Sequence, residues 1–154
     1  MKSSNLPAML LAFALAGAAL TGAIPAFAED VPTGVQVTDQ VIGDGPEVHR
    51  GWFAIMHFIG WVYDERAPEH KGRQFADSRE RGKPTTFVYG YQRALIGLEK
   101  GMLGMKVGGK RTIVVPPKLG YDDLKYPTPR DVPPKSALVF EIELLDVVPQ
   151  QNAN

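Results

Sequence analysis

The sequence predicts an α+β fold, an antiparallel sheet with one short helix packed on it. Downstream of the first 30 residues, Gly and Pro separate short apolar runs, which is typical of β-rich folds with many turns. Near the end of the chain, residues 138–145 place apolar side chains at every second position and therefore predict a strand with one buried face. A single stretch, 92–102, has the apolar spacing of an amphipathic helix.

The amino-terminal half predicts two strands and an exposed loop. Residues 35–37 alternate in polarity, and the sequence Gly43-Asp44-Gly45 that follows is typical of a turn that reverses the chain. Trp52–Tyr63 is apolar at both odd and even positions, which predicts a central strand covered on both faces. Residues 64–72 are polar and predict an exposed loop.

The predicted helix is the most informative element of the second half. Leu95, Leu98 and Met102 form one apolar stripe along residues 92–102. Two glycines, at 97 and 101, lie inside the helix, and each costs about 1 kcal/mol relative to Ala. Such a cost indicates a short helix that is pressed closely against the sheet.

Short strands flank this helix. Residues 85–89 and 112–115 are predicted strands, and Pro116-Pro117 ends the second. Residues 118–134 are rich in Pro and charge and predict a long loop before the final strand.

Residues 1–28 have the pattern of a Sec-type signal peptide. A single Lys precedes a Leu- and Ala-rich run, and a small-x-small cleavage sequence ends at Ala28. An uncleaved membrane anchor is the alternative, although the run is near the short limit for crossing a bilayer. Cleavage after Ala28 predicts an exported, periplasmic protein without stable membrane insertion. Its single domain would span 29–148, and residues 149–154 would form a disordered tail.

Charge and residue usage restrict the possible chemistry. The 17 basic and 17 acidic side chains balance, which argues against a nucleic-acid binder. The absence of Cys excludes disulfides, thiolate metal sites and cysteine nucleophiles. His49, His57 and His70 lack metal-ligand spacing, and His57 is expected to be a hydrogen-bonded core residue. We therefore expect neither a metal nor a cofactor.

Other motifs with catalytic potential lack the context they require. Residues 104–110 match the GxxxxGK half of a phosphate-binding loop, but Arg111 replaces the Ser or Thr that binds magnesium, so Gly108-Gly109 is predicted to be a turn. Neither serine of the mature chain lies in a nucleophile elbow. The pair Asp122-Asp123 is expected in a solvated loop, because glycoside hydrolysis needs a fixed carboxylate separation.

What remains is a surplus of aromatic and aliphatic residues. From composition alone, an ordinary core is the simplest interpretation. A cleft lined by such residues would also bind an apolar ligand. It would further suit rotation about an X–Pro amide, a reaction that needs neither a nucleophile nor a metal, because a dry pocket disfavours the charge-separated planar amide.

Short motifs occur in a characteristic order between Gly34 and Val148. They include Gly43-Asp44-Gly45, Phe75-Ala76-Asp77-Ser78-Arg79, Gly97-Leu98-Glu99-Lys100-Gly101, Met105-Lys106-Val107-Gly108-Gly109-Lys110-Arg111 and Leu138-Val139-Phe140-Glu141-Ile142-Glu143-Leu144. The sequence thereby resembles the peptidyl-prolyl cis–trans isomerases of the FKBP type, the macrolide-binding immunophilins. The resemblance implies a curved antiparallel β-sheet wrapped around one short α-helix, with a proline pocket between them.

The resemblance also implies the site residues. Tyr121, Phe75 and Asp77 are implied as catalytic, because Tyr121 matches a loop tyrosine whose hydroxyl donates to a substrate carbonyl. Leu98, where many members have Trp, is implied as the pocket floor. The backbone of Ala94 and Leu95 is implied to hold the substrate. The other implied substrate-binding residues are Phe58, Phe87, Val132 and Phe140.

Two departures from the family pattern alter polar groups of the implied pocket. Phe58 stands where the family usually has Tyr, and Ala76 stands where it has an acid. Asp77, one place later, would point to the opposite face of a strand unless a bulge restores its direction. Each lost hydrogen bond costs about 0.5–1.5 kcal/mol. We therefore expect a weaker isomerase and weak macrolide binding.

The implied function is acceleration of X–Pro rotation during the folding of exported proteins. Its partners would be unfolded or partly folded polypeptides that contain proline, because uncatalysed exchange takes roughly tens to hundreds of seconds. The alternative is a proline-peptide-binding module or holdase that has kept the cleft and lost turnover. The altered positions Phe58 and Ala76 motivate this alternative.

Overall fold

The computed structural model describes residues 32–122 and 127–150. The predicted signal peptide lies outside the described residues, as do residues 151–154 of the predicted tail. No helix within the described ranges is long and apolar enough to cross a membrane.

The described chain forms one antiparallel sheet and one α-helix, as the sequence predicts. The strand order is β1-β5-β6-β2-β3, and β4 pairs with β2 beside this path. The elements are β1 Gln36–Val41, β2 Trp52–Tyr63, β3 Lys71–Asp77, β4 Thr85–Val88, α1 Ile96–Gly101, β5 Lys110–Val115 and β6 Leu138–Pro149. Single 3₁₀ turns at Pro68–His70 and Pro117–Leu119 complete the described part.

Strand β2 lies at the centre of the sheet, but only one of its faces is buried. Ala54, Met56 and Gly60 on the inner face are buried, whereas the alternate positions such as Ile55 and His57 are half-buried. The prediction that β2 is covered on both faces is therefore wrong. Within the described ranges the only α-helix packs against β5, so the opposite face of the sheet has no helical layer.

The predicted chain reversal at Gly43–Gly45 does not occur. The backbone N–H of Gly45 donates to Val107 O at 3.1 Å, and that of Val48 donates to Met105 O at 2.9 Å. The chain therefore continues from β1 in the same direction, antiparallel to 105–110. A Cβ at Gly43 would lie 2.2 Å from Val107 O, so this glycine is required for close backbone approach rather than for a hairpin.

Strand β3 begins inside the segment that the sequence predicts to be a loop. It pairs with β2 alone, at the edge of the sheet. Polar residues such as Arg73 and Gln74 occupy it, and exposed edge strands tolerate such residues. The alternation of polarity on which the prediction relied is therefore missing from this strand.

Helix α1 is shorter than predicted and is packed as closely as predicted. It begins at Ile96, because residues 92–95 form a turn in which Gln92 has a φ of +53°. A Cβ at Gly97 would lie 2.4 Å from Val115 Cγ1, and one at Gly101 would lie 2.4 Å from Ile113 Cγ2. Both glycines therefore allow the helix to contact β5 directly.

Three smaller predictions concern turns and ends. The turn at Gly108-Gly109 is confirmed, since the N–H of Gly109 donates to Lys106 O at 2.9 Å. Strand β5 ends at the residue before Pro116-Pro117, as expected. Strand β6 continues to Pro149, which the sequence placed in the tail, and the tail itself stays a prediction.

Candidate active site

Four aromatic rings meet where β2, β3, β6 and the loop after β5 come together. The ring centroids of Phe58 and Phe140 lie 6.1 Å apart, those of Phe140 and Phe75 lie 5.9 Å apart, and those of Phe75 and Tyr121 lie 6.1 Å apart. Both contacts of Phe75 are edge-to-face, a favourable arrangement for aromatic pairs. We call these four residues the aromatic cluster.

Gly60 and a bulge in β3 allow the rings to converge. Gly60 pairs with Ala76 and the next residue, Trp61, pairs with Gln74, so Phe75 is the extra residue of a β-bulge. A Cβ at Gly60 would lie 2.8 Å from Phe75 Cζ and 3.0 Å from Phe140 Cε1. The Phe75 ring therefore lies across the backbone of β2, in space that any other residue at position 60 would fill.

The aromatic cluster has a buried floor and a half-exposed rim. Phe140, the buried member, is 2% exposed, whereas Phe58, Phe75 and Tyr121 are half-buried; Leu98, on α1, is 5% exposed and belongs to the same hydrophobic core as Phe140. The hydrophobic core to which these rings belong also contains every other implied apolar site residue, namely Phe87 on β4, Ala94 and Leu95 before α1, and Val132 before β6. Asp77 is the implied site residue that lies outside this core, and a common pocket for the others stays a prediction.

Asp77 is a correction to the implied catalytic set. It pairs with Ile59, on the face of β2 opposite to Phe58, because the bulge at Phe75 precedes it and does not redirect it. Its Oδ1 accepts the backbone N–H of Arg79 at 2.7 Å, so the carboxylate supports the turn after β3. Ala76, which does pair with Gly60, has no polar group to offer.

The Tyr121 hydroxyl is a donor without a partner in the described residues. Burial raises the pKa of this phenol, and the charge of Arg81 lowers it to a smaller extent. The net upward shift keeps the hydroxyl protonated at neutral pH. With no partner among the described residues, it can donate a hydrogen bond to a ligand.

Glu99 positions the loop that carries Ala94 and Leu95, and sequence reasoning missed this role. The side chain lies on α1 and is 7% exposed. Its carboxylate accepts three backbone N–H groups, from Gln92 at 3.2 Å, Arg93 at 2.9 Å and Ala94 at 3.2 Å. No signal in the sequence pointed to it, because the burial of Glu99 and the identity of its partners depend on how the preceding turn closes.

His57 and Ser78 hold the backbone of Phe58 in place. Ser78 is fully buried, and its Oγ accepts the backbone N–H of Phe58 at 2.9 Å and lies 2.9 Å from His57 Nδ1. His57 is hydrogen-bonded as predicted, but it is half-buried on the open face of the sheet rather than in the core. The pair therefore joins β2 to the turn after β3.

Two further predictions have different outcomes in the described residues. Asp122 is exposed and its Oδ1 accepts the N–H of Lys135 at 2.8 Å, as expected for a loop residue. Asp123 lies outside the described residues.

Comparison with known proteins identifies the family. Residues 45–145 match the family model described as FKBP-type peptidyl-prolyl cis–trans isomerase. The chain is 35% identical over 123 residues to the chloroplastic peptidyl-prolyl cis–trans isomerase FKBP13 of Arabidopsis thaliana, covering 74% of this chain and 56% of that protein. It is 32% identical over 114 residues to the FK506-binding protein of Neisseria meningitidis serogroup B, covering 74% of this chain and 96% of that protein.

Solved structures agree with this comparison. The crystal structure of FkpA from Escherichia coli matches with a TM-score of 0.62 at 30% identity, covering 79% of this chain and 53% of that one. The crystal structure of AtFKBP13 matches with a TM-score of 0.62 at 33% identity, covering 75% and 94%. The chain spans about half the length of the Arabidopsis relative and of FkpA. It belongs to the FKBP-type peptidyl-prolyl cis–trans isomerase family.

Proposed function

We propose that this protein catalyses cis–trans isomerisation of X–Pro bonds at the aromatic cluster. One observation carries the proposal: three half-exposed aromatic rings, Phe58, Phe75 and Tyr121, form one cluster with the buried ring of Phe140, and the Tyr121 hydroxyl has no hydrogen-bond partner among the described residues. Family membership supports the same activity. The binding-only alternative is motivated only by the altered positions Phe58 and Ala76, and family membership does not favour it.

The reaction needs binding alone, because no covalent bond is made or broken. Rotation about the amide has a barrier of about 18–20 kcal/mol, which arises from resonance between nitrogen and carbonyl. The proline ring would rest on Leu98 and exclude water, and the aromatic rings would surround the amide. Each ~1.36 kcal/mol by which such a site binds the twisted form more tightly than the planar form accelerates rotation tenfold.

Two donors are suited to hold the polypeptide around the proline. The Tyr121 hydroxyl is one of them. The backbone N–H of Leu95 is the other: its three predecessors donate to Glu99, and it donates to no group of the described residues. Since Phe58 and Ala76 provide no polar group, we also propose that macrolide binding is weak.

The cellular role forms a second part of the proposal. The signal-peptide pattern of residues 1–28 supports export, with periplasmic residence and clients among newly exported proteins. Cell fractionation, with mass determination of the mature amino terminus, tests this part. An amino terminus at Glu29 in the periplasmic fraction is expected, and a full-length cytoplasmic protein would contradict export.

The activity is tested with proline tetrapeptides in a protease-coupled assay, repeated by NMR exchange without a protease. We expect Tyr121→Phe to lower kcat/KM by about two- to tenfold, the effect of one hydrogen bond of about 0.5–1.5 kcal/mol. Phe75→Ala should lower it further, because it removes a wall of the cluster. Tyr91→Phe is the matched control, since Tyr91 is 55% exposed.

The possible results separate the proposals. No rate above background for the purified wild-type protein eliminates the isomerase. Wild-type kcat/KM in both Tyr121→Phe and Phe75→Ala would show that the reaction takes place elsewhere on the protein.

A further inference from the structure

Arg81 places an unpaired cation at the rim of the aromatic cluster. Its guanidinium carbon lies 5.3 Å from the ring centroid of Phe58, within cation–π range. Its Nη2 donates to Thr85 Oγ1 at 3.2 Å, and it forms no ion pair with a carboxylate of the described residues. Its charge also acts on the Tyr121 phenol, whose pKa it lowers against the larger effect of burial.

The acids near Arg81 are engaged by other groups. A shallow depression of about 450 Å³ contains Arg81 together with Phe75, Ala76 and three carboxylates. Each carboxylate has a different partner: Asp77 accepts the N–H of Arg79 at 2.7 Å, Glu80 accepts from Gln74 Nε2 at 3.5 Å, and Asp131 pairs with Arg73 at 3.6 Å. None of these carboxylates contacts the guanidinium, although only Asp131 is paired with an opposite charge, since Asp77 and Glu80 accept from neutral N–H groups.

We propose that Arg81 gives the site a preference for X–Pro bonds flanked by an acidic side chain. The carboxylate of the client would pair with the guanidinium, while its proline occupies the aromatic cluster. Ala76 itself contributes no acid beside Phe75, and the guanidinium lies over the Phe58 ring. The inference rests on the proposed isomerase function and names the class of substrate that it favours.

The test compares pairs of peptides that differ only in charge. One pair carries Glu or Gln directly before the proline, and a second pair carries Glu or Gln directly after it. NMR exchange gives the catalytic efficiency for each peptide with the wild type and Arg81→Gln, at low and at physiological salt. Lys83→Gln is the matched control, because it removes the same charge from a neighbouring exposed position.

We expect the wild type to favour Glu over Gln by about two- to fivefold in at least one pair, the range for exposed ion pairs. The preference should disappear in Arg81→Gln, persist in Lys83→Gln and decrease with salt. Because the readout is a ratio, a general loss of activity in a variant cancels. Equal Glu/Gln ratios in the wild type and Arg81→Gln would overturn this inference alone. Absence of isomerisation with every peptide would overturn the proposed function, and the inference with it.

Discussion

Replacing Glu99 should disconnect the loop before α1 from the helix and thereby weaken both stability and activity. Glu99 is 7% exposed, and its carboxylate accepts three backbone N–H groups from residues 92–94. In Glu99→Gln, one oxygen becomes an amide that donates, so at least one N–H faces another donor. In Glu99→Ala, all three N–H groups lose their acceptor.

The magnitude follows from the number of hydrogen bonds affected. A hydrogen bond to a charged group contributes about 1.5–3 kcal/mol, and a buried donor left without a partner costs about 1–3 kcal/mol. We therefore expect Glu99→Gln to lower the free energy of unfolding by about 1.5–3 kcal/mol. Glu99→Ala should cost more, although less than three full penalties, because the loop can relax and admit water.

Urea denaturation measures the stability, and proline-peptide exchange measures the activity. Amide hydrogen exchange of residues 92–94 adds a local readout, since protection there should fall more than in β2 or β6. Glu69→Gln is the control, because Glu69 pairs with Lys71 on the surface and its side chain is 72% exposed. Wild-type stability and unchanged protection at 92–94 in Glu99→Gln would refute the reasoning.

Two further predictions concern the rings and the phenol. Gly60→Ala should lower the free energy of unfolding by about 1–3 kcal/mol and reduce kcat/KM, because the added Cβ would displace the rings of Phe75 and Phe140. Urea denaturation measures the first effect and peptide exchange the second. Unchanged values of both would contradict the packing described. Since burial raises the pKa of Tyr121, its hydroxyl should ionise above the ordinary Tyr value. The contribution of this group to the free energy of unfolding is therefore present below about pH 10 and is lost as the pH rises through the folded-state pKa. The absorbance titration of wild type minus Tyr121→Phe measures this, and ionisation at or below the value for exposed Tyr91 would contradict it.

The fold could be predicted wherever local pattern and tertiary environment agree. The apolar content of Trp52–Tyr63 and the alternation in residues 138–145 predict two strands, and the glycines of α1 predict its close packing against the sheet, which the structure shows to be against β5. Prediction failed where partners are distant in sequence. Gly43 serves the backbone of Val107 rather than a hairpin, and β3 pairs at a polar edge that no alternation marks.

The candidate site divides in the same way. Its apolar residues came from motifs that resemble a known family, and the structure gathers them into one cluster. The roles of Gly60, Glu99 and Arg81 depend on contacts between separate elements: a ring that crosses a strand, a carboxylate beneath a turn and a guanidinium over a ring. Spacing in a sequence carries no information about such contacts, so these residues became identifiable only with the coordinates.

Phe58, Ala76 and Arg81 together leave the aromatic cluster apolar and place one charge at its edge. A polar group that is buried without a partner costs about 1–3 kcal/mol, whereas removing both members of a pair can be nearly neutral. Phe58 and Ala76 stand on neighbouring strands where the family pattern implies a hydroxyl and a carboxylate, and no fully buried side-chain N or O of the described residues is left without a partner. Arg81 is exposed, so it stays hydrated and requires no internal counter-ion. The floor thereby remains apolar, as desolvation of an amide requires, while the charge at the rim is left for the polypeptide that binds there.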